Sequence, residues 1–237
     1  MKRTRLGPLD AVICGGEDRE GGGDGPVVVL LHGFGAPGED LVPLWREVDA
    51  PREVRWVFPA APLPVDELYP GARAWWMIDL ERMQRMLARS AVDELVREVP
   101  AGLAPARAAV DAVLDDVERT LRPSSLVLGG FSQGAMVSTD VALRGERALA
   151  GLVLMSGTLL CDDDWRALAP KRAGLPVLQS HGERDPLLPF FLAEALRERL
   201  SDAGLPVRFT PFRGGHEIPG VVLDALGAFV RGVTAPA

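Results

Sequence analysis

A chain of 237 residues has room for one large domain with a buried core, and 47% hydrophobic with 25% charged residues is ordinary for a soluble globular protein. A formal net charge of −7, with the 26 lysines and arginines scattered along the chain, argues against nucleic acid or an anionic membrane as the main partner. No stretch approaches the roughly 20 apolar residues that cross a bilayer, so no stable membrane insertion is expected.

In chain order, the opening MKRTRLGPLDAVICGG is basic at its start but has no long apolar segment, and Asp10 interrupts it early. It does not read as a secretory signal. Cys14 and Cys161 stand far apart in no metal-like spacing, which suits two free thiols in a reducing compartment and hence a cytoplasmic location. Residues 15–25, GGEDREGGGDG, form a flexible loop before the first strong strand, PVVVLL at Pro26–Leu31. That run is continuous and β-branched, as expected of a strand buried on both faces. Short apolar runs follow at residues 54–58, 126–128, 151–155, 175–178 and 207–209. Between them lie helical patterns. Val110, Val113, Leu114, Val117 and Leu121 make one apolar stripe, and similar patterns cover residues 190–200 and 221–230. Alternating strands and helices predict a mostly parallel central sheet with helices on both faces, in one domain spanning residues 1–237.

Residues 62–103 fit this alternation less neatly and read as a small cap-like excursion, the place where a pocket wall would sit. Leu80, Met83 and Leu87 suggest one short helix there; Val92, Leu95, Val96 and Val99 suggest a second. Trp75, Trp76, Met77 and Leu80 are candidates for the apolar wall of an acyl-binding groove, and they equally suit packing of the excursion onto the core. Arg73 reads as an exposed arginine, and LRERL at residues 196–200 as the solvated face of a helix.

The nine residues GGFSQGAMV, 129–137, carry the chemistry. Gly130-Phe131-Ser132-Gln133-Gly134 follows a strand and precedes a helix-like segment, the setting in which a sharp turn lifts a serine hydroxyl out of a sheet. Small residues two places before and after the serine relieve the crowding of that turn. A serine hydroxyl needs a base, and the base needs an acid to orient it. Of the three histidines, His32 precedes the serine, and His181 in QSHGERDPLLPF ends a strand and suits a structural role in the loop that follows. His216, in FRGGHEIPG on a Gly-rich loop before the last helix, is the expected base. Asp185, in the loop leaving the strand before it, is the expected acid; Glu183 is its near competitor, and Asp162, Asp163 and Asp164 read as a helix N-terminus. An oxyanion would be met by the backbone N–H of Gln133 and by that of Phe34 in the loop LHGFGAPGED.

LHGFGAPGEDL, FPAAP, GGFSQGAMV, LQSHGERDPLLP and FRGGHEIP occur in this order, and together they resemble the phospholipase/carboxylesterase family of α/β-hydrolases, which includes bacterial carboxylesterases and acyl-protein thioesterases. The likeness runs from about Val27 onward. It implies an α/β-hydrolase fold, a triad of Ser132, Asp185 and His216, oxyanion donors at Phe34 and Gln133, and neither metal nor organic cofactor. The chain departs from the family pattern at Ala36, where members often carry Asp, and at Gly134-Ala135, where many have two glycines. The stretch Trp75-Trp76-Met77-Ile78-Asp79 has extra residues before its aspartate. The expected activity is hydrolysis of a carboxylic ester with an apolar acyl group through an acyl-enzyme, by a monomer or homodimer. A thioesterase or lysophospholipase would use the same triad. An acyltransferase and a noncatalytic ligand-binding relative are the more distant readings.

Overall fold

In the computed structural model, which describes residues 1–89 and 91–235 but not the side chains of Leu80, Gln84, Leu87 and Ala88, the chain opens with a hairpin. Its strands are β1 (Lys2–Leu6) and β2 (Leu9–Gly15). The sequence suggests only an apolar stretch here, because β1 is mostly polar. Its partner β2 nonetheless alternates, sending Leu9, Ala11 and Ile13 to one face of the sheet and Val12 and Cys14 to the other. Next come β3 (Val27–Leu31), the single-turn helix α1 (Leu44–Glu47) and β4 (Arg55–Pro59). The excursion holds the two-residue strands β5 (Leu63–Pro64) and β6 (Arg73–Ala74), which pair antiparallel, and helices α2 (Leu80–Ala88) and α3 (Val92–Arg97). Then follow α4 (Leu103–Leu121), β7 (Leu126–Phe131), α5 (Gln133–Arg144), β8 (Gly151–Met155), α6 (Asp162–Leu168), β9 (Val177–Gly182), α7 (Phe190–Asp202), β10 (Val207–Phe212) and α8 (Gly220–Thr234).

Eight strands make one sheet in the order β1-β2-β4-β3-β7-β8-β9-β10. Only the β1–β2 and β2–β4 pairs are antiparallel; from β4 through β3 to β10 every pair is parallel. This is the mostly parallel, helix-covered sheet of an α/β-hydrolase. The inner strands β3 and β8 are buried on both faces, which explains why they are apolar throughout. Val27, Val29, Leu31 and Leu128 face Val110, Val113, Leu114 and Val117 of α4, while Val28, Leu30, Val127 and Val153 face Val222, Leu226 and Phe229 of α8. Because β3, β7 and β9 run in one direction, the loops leaving their carboxyl ends gather along one edge. Those loops begin at His32, Ser132 and Glu183.

Two surface expectations change in the fold. Arg73 is half-buried, and its guanidinium donates to the carbonyl oxygens of Ala61 and Pro62. Arg199, placed by the sequence on a solvated face, ion-pairs with the largely buried Asp162 at 2.6 Å. A hydrophobic stripe cannot reveal a carboxylate waiting on a neighbouring helix.

Candidate active site

Ser132 sits between β7 and α5 with φ 55° and ψ −118°, in the positive-φ region that costs a residue with a Cβ on the order of 1–3 kcal/mol. What holds it there is the packing of the turn. A Cβ added to Gly134 would lie 2.0 Å from the carbonyl oxygen of Leu31, and one added to Gly130 would lie 2.5 Å from the backbone of Gly134. The first turn of α5 therefore rests directly on the ends of β3 and β7, which only glycine at these positions permits. The β3 loop comes equally close on the other side: a Cβ at Gly33 would be 3.3 Å from Ser132 Cβ.

Asp185 and His216 meet across the β9 and β10 loops. His216 Nδ1 lies 2.6 Å from Asp185 Oδ2, and the other carboxylate oxygen accepts the N–H groups of Leu187 and Leu188, each at 2.9 Å. Burial by itself would raise the Asp185 pKa; the His216 hydrogen bond and the Leu188 and Leu187 N–H groups outweigh it and hold the carboxyl below its usual range. An ionised Asp185 keeps the imidazole proton on Nδ1 and turns Nε2 into an acceptor. The ring lies against Phe131, the neighbour of Ser132, with centroids 4.7 Å apart. Glu183 takes no part in this pair. The acidic residues 162–164 open α6, as the sequence suggested.

The remaining histidines are structural. His181 is buried, with Nε2 2.8 Å from the Leu188 carbonyl oxygen and 3.4 Å from Asp185 Oδ2, so it braces the loop that presents Asp185. His32 is buried under the β3 loop. Its Nδ1 bonds the Gly33 carbonyl oxygen at 2.8 Å, and its Nε2 accepts the Ala61 N–H at 2.9 Å. That pair of contacts requires the neutral ring. Burial, helped by the nearby Arg73 charge, lowers its pKa to about 4 against the Gly33 hydrogen bond.

Among the described residues the backbone N–H groups of Phe34 and Gln133 have no hydrogen-bond acceptor within the protein. Gln133 opens α5, where the first amides of a helix lack intrahelical partners. Phe34 stands in the β3 loop, whose next residue Gly35 adopts φ 82°. One free N–H group thus belongs to the residue after Ser132 and the other to the residue after Gly33, whose backbone packs against Ser132; free donors of this kind can receive charge that develops on an oxygen.

The four residues suggested as groove wall divide. Trp75 and Trp76 belong to the core, at 1% and 5% exposure; Trp75 Nε1 donates to the His32 carbonyl oxygen at 2.8 Å. Met77 is exposed, and the side chain of Leu80 lies outside the described residues. Sequence reasoning missed Leu68 and Tyr69. Both are exposed and border the β3 loop: Leu68 Cδ1 would lie 3.3 Å from a Cβ at Gly35, and Tyr69 Oη donates to the Gly35 carbonyl oxygen. Also missed was the Gln133 side chain. It is buried and accepts the Trp75 N–H at 2.9 Å while donating to the Trp76 carbonyl oxygen at 2.8 Å. No sequence pattern signals a contact 57 residues away. A cleft of about 870 Å³ lined by Trp45, Arg46, Arg52 and Trp56 opens near the start of β4, away from all of these groups.

Comparison with known proteins agrees with this architecture. The sequence model of the family described as Phospholipase/Carboxylesterase matches residues 19–234. Acyl-protein thioesterase 1 of Neurospora crassa is 28% identical over 214 residues, covering 86% of this chain and 84% of that protein. A probable carboxylesterase of Oryza sativa subsp. japonica is 28% identical over 210 residues, covering 86% and 76%. Among solved structures, esterase PE8 aligns with a TM-score of 0.78 at 32% identity over 95% of this chain and 99% of that one. The carboxylesterase of Bacillus cereus, at 20% identity and a TM-score of 0.70 over 95% and 94%, shares the fold.

Proposed function

Because the chain belongs to the phospholipase/carboxylesterase family, a family of ester hydrolases, we propose that it cleaves carboxylic esters through an acyl-enzyme formed on Ser132. His216 Nε2 takes the Ser132 proton as Oγ attacks the acyl carbon, and Asp185 stabilises the imidazolium that results. The Phe34 and Gln133 N–H groups receive the oxyanion. His216 then returns the proton to the departing alcohol. Water, activated by the same imidazole, releases the acid. The observation that carries this reading is the 2.6 Å His216–Asp185 hydrogen bond with the ring set against Phe131, next to a serine held at positive φ. Among the described residues no hydrogen bond joins Ser132 Oγ to His216. In a free enzyme such contacts are often long and tighten when substrate is bound.

Leu68, Tyr69 and Met77 supply exposed apolar surface in the excursion, the first two directly on the β3 loop, and suit a small-molecule ester with an apolar acyl group. The expected outcome of Ser132→Ala is loss of p-nitrophenyl ester turnover by at least about 10³-fold with an unchanged circular dichroism spectrum. Turnover at the wild-type rate in that variant, in material free of other esterases, contradicts the proposal. A thioesterase is the second reading, favoured by the name of the Neurospora relative. Oxygen and sulfur esters pass through the same tetrahedral intermediate, so kcat/KM for a matched pair of esters with one acyl group separates the two readings.

A further inference from the structure

Residues 73–76 of the excursion touch both walls of the proposed site. On one side, Arg73 exchanges two backbone hydrogen bonds with the β3 loop: Gly35 N–H donates to the Arg73 carbonyl oxygen at 2.8 Å, and Arg73 N–H donates to the Ala36 carbonyl oxygen at 3.0 Å. Trp75 Nε1 adds a third bond to that loop at the His32 carbonyl oxygen, and the indole lies 5.5 Å from the His32 ring. On the other side, the two ends of the Gln133 amide grip the N–H of Trp75 and the carbonyl oxygen of Trp76. Phe34 and Gln133 therefore reach each other through one short stretch of chain.

A surface glutamine gains little from being buried. This one is 1% exposed, and both ends of its amide are matched by backbone groups of opposite polarity. Such a side chain loses its partners on any shift of the excursion relative to α5, and leaving a buried amide unpaired is costly. The bond network accordingly fixes the separation of two N–H groups that belong to different loops.

We infer that the Gln133 side chain is a positioning residue: through Trp75 and Trp76 it sets the spacing of the Phe34 and Gln133 N–H groups and so the fit of the oxyanion. The inference rests on the proposed roles of those two N–H groups. The excursion is thereby part of the site's frame. Its effect falls on the transition state, because the N–H groups meet an oxyanion more closely than a ground-state carbonyl.

The test compares wild type with Gln133→Met, which keeps length and removes both hydrogen bonds, and with Trp75→Phe, which keeps the aromatic fill and removes the bond to His32. Each is assayed for kcat and KM on a p-nitrophenyl ester and for inhibition by an alkyl trifluoromethyl ketone. With the ketone, Ser132 Oγ adds to the carbonyl carbon, its proton passes to His216, and the former carbonyl oxygen becomes the oxyanion. The expected result for Gln133→Met is a kcat lower by about 10- to 100-fold, a KM within about 3-fold, and ketone affinity reduced by the same factor as kcat/KM. Trp75→Phe moves all three in the same direction by a smaller factor, and it carries the comparison if Gln133→Met does not fold. Unchanged ketone affinity in a folded variant, or a loss confined to KM, overturns the inference. Fluorophosphonate labelling of wild type at Ser132 is the companion measurement. Its failure overturns the proposed nucleophile itself, whereas normal labelling beside unaffected variants overturns only the role of Gln133.

Discussion

His32 shows how one buried side chain ties the site to pH. The folded protein holds it neutral with a pKa of about 4, whereas in the unfolded chain it titrates near 6.5. Between those values the unfolded state binds more protons, so stability falls as pH drops through the window from 6.5 to 4 and is flat in this term above it. The full effect is about 3 kcal/mol at most. His181 acts with the same sign, because burial lowers its pKa as well. Denaturant midpoints at pH 7, 5.5 and 4 are expected to fall more steeply in wild type than in His32→Gln; parallel curves would show that His32 contributes nothing to the pH dependence. At this scale the sequence was informative where chemistry dictates a residue type. Ser132 is conspicuous because glycines flank it after a strand, and His216 is the expected base because chain order sets aside His32 and the end of a strand sets aside His181. Gln133 is legible only for its backbone N–H. The fit of its side chain to Trp75 and Trp76 depends on tertiary placement that no local pattern carries.

The junction of β3, β7 and α5 is what presents the serine, and Gly134 is its tightest point. A methyl group there would meet the Leu31 and His32 carbonyl oxygens at 2.0 and 2.6 Å, so Gly134→Ala must push α5 off the strand ends. The expected cost is about 1–3 kcal/mol in stability, with kcat falling because the Gln133 N–H moves with the helix. Urea titration and steady-state kinetics on one preparation check both; an unchanged midpoint would show that the turn yields more easily than its packing suggests. Elements with a strong hydrophobic period are legible in the residues alone. The stripe from Val110 to Leu121 forms most of α4, and the apolar run at Val27–Leu31 forms β3 with both faces covered. The strand expected at residues 175–178 starts two residues later and extends to Gly182, because polar Gln179, Ser180 and His181 pair with neighbouring strands despite breaking the apolar run. The hairpin β1–β2 is legible only as an apolar opening stretch: Lys2–Leu6 carries three basic residues, and its neighbour in the sheet is β2.

Over the whole molecule, the parallel order from β4 to β10 brings three loop ends to one edge, and the excursion is bonded across two of them, the β3 loop and the start of α5, at Arg73, Trp75 and Trp76. The alternation of strands and helices made this class of fold readable from sequence. The excursion's seat on the site was not, because it rests on backbone hydrogen bonds and two buried indoles that any core would accept. The chain's acidity, net −7, leaves the site to be explained by local geometry, since the carboxylate that meets His216, Asp185, is buried. The most direct test of the central claim is the intact mass of the protein quenched during turnover of a p-nitrophenyl ester, followed by peptide mapping. A mass increase equal to one acyl group, located on the peptide containing Ser132 and absent in Ser132→Ala, is the result expected. An acyl group located on another residue, or an adduct that persists with turnover in Ser132→Ala, would contradict it.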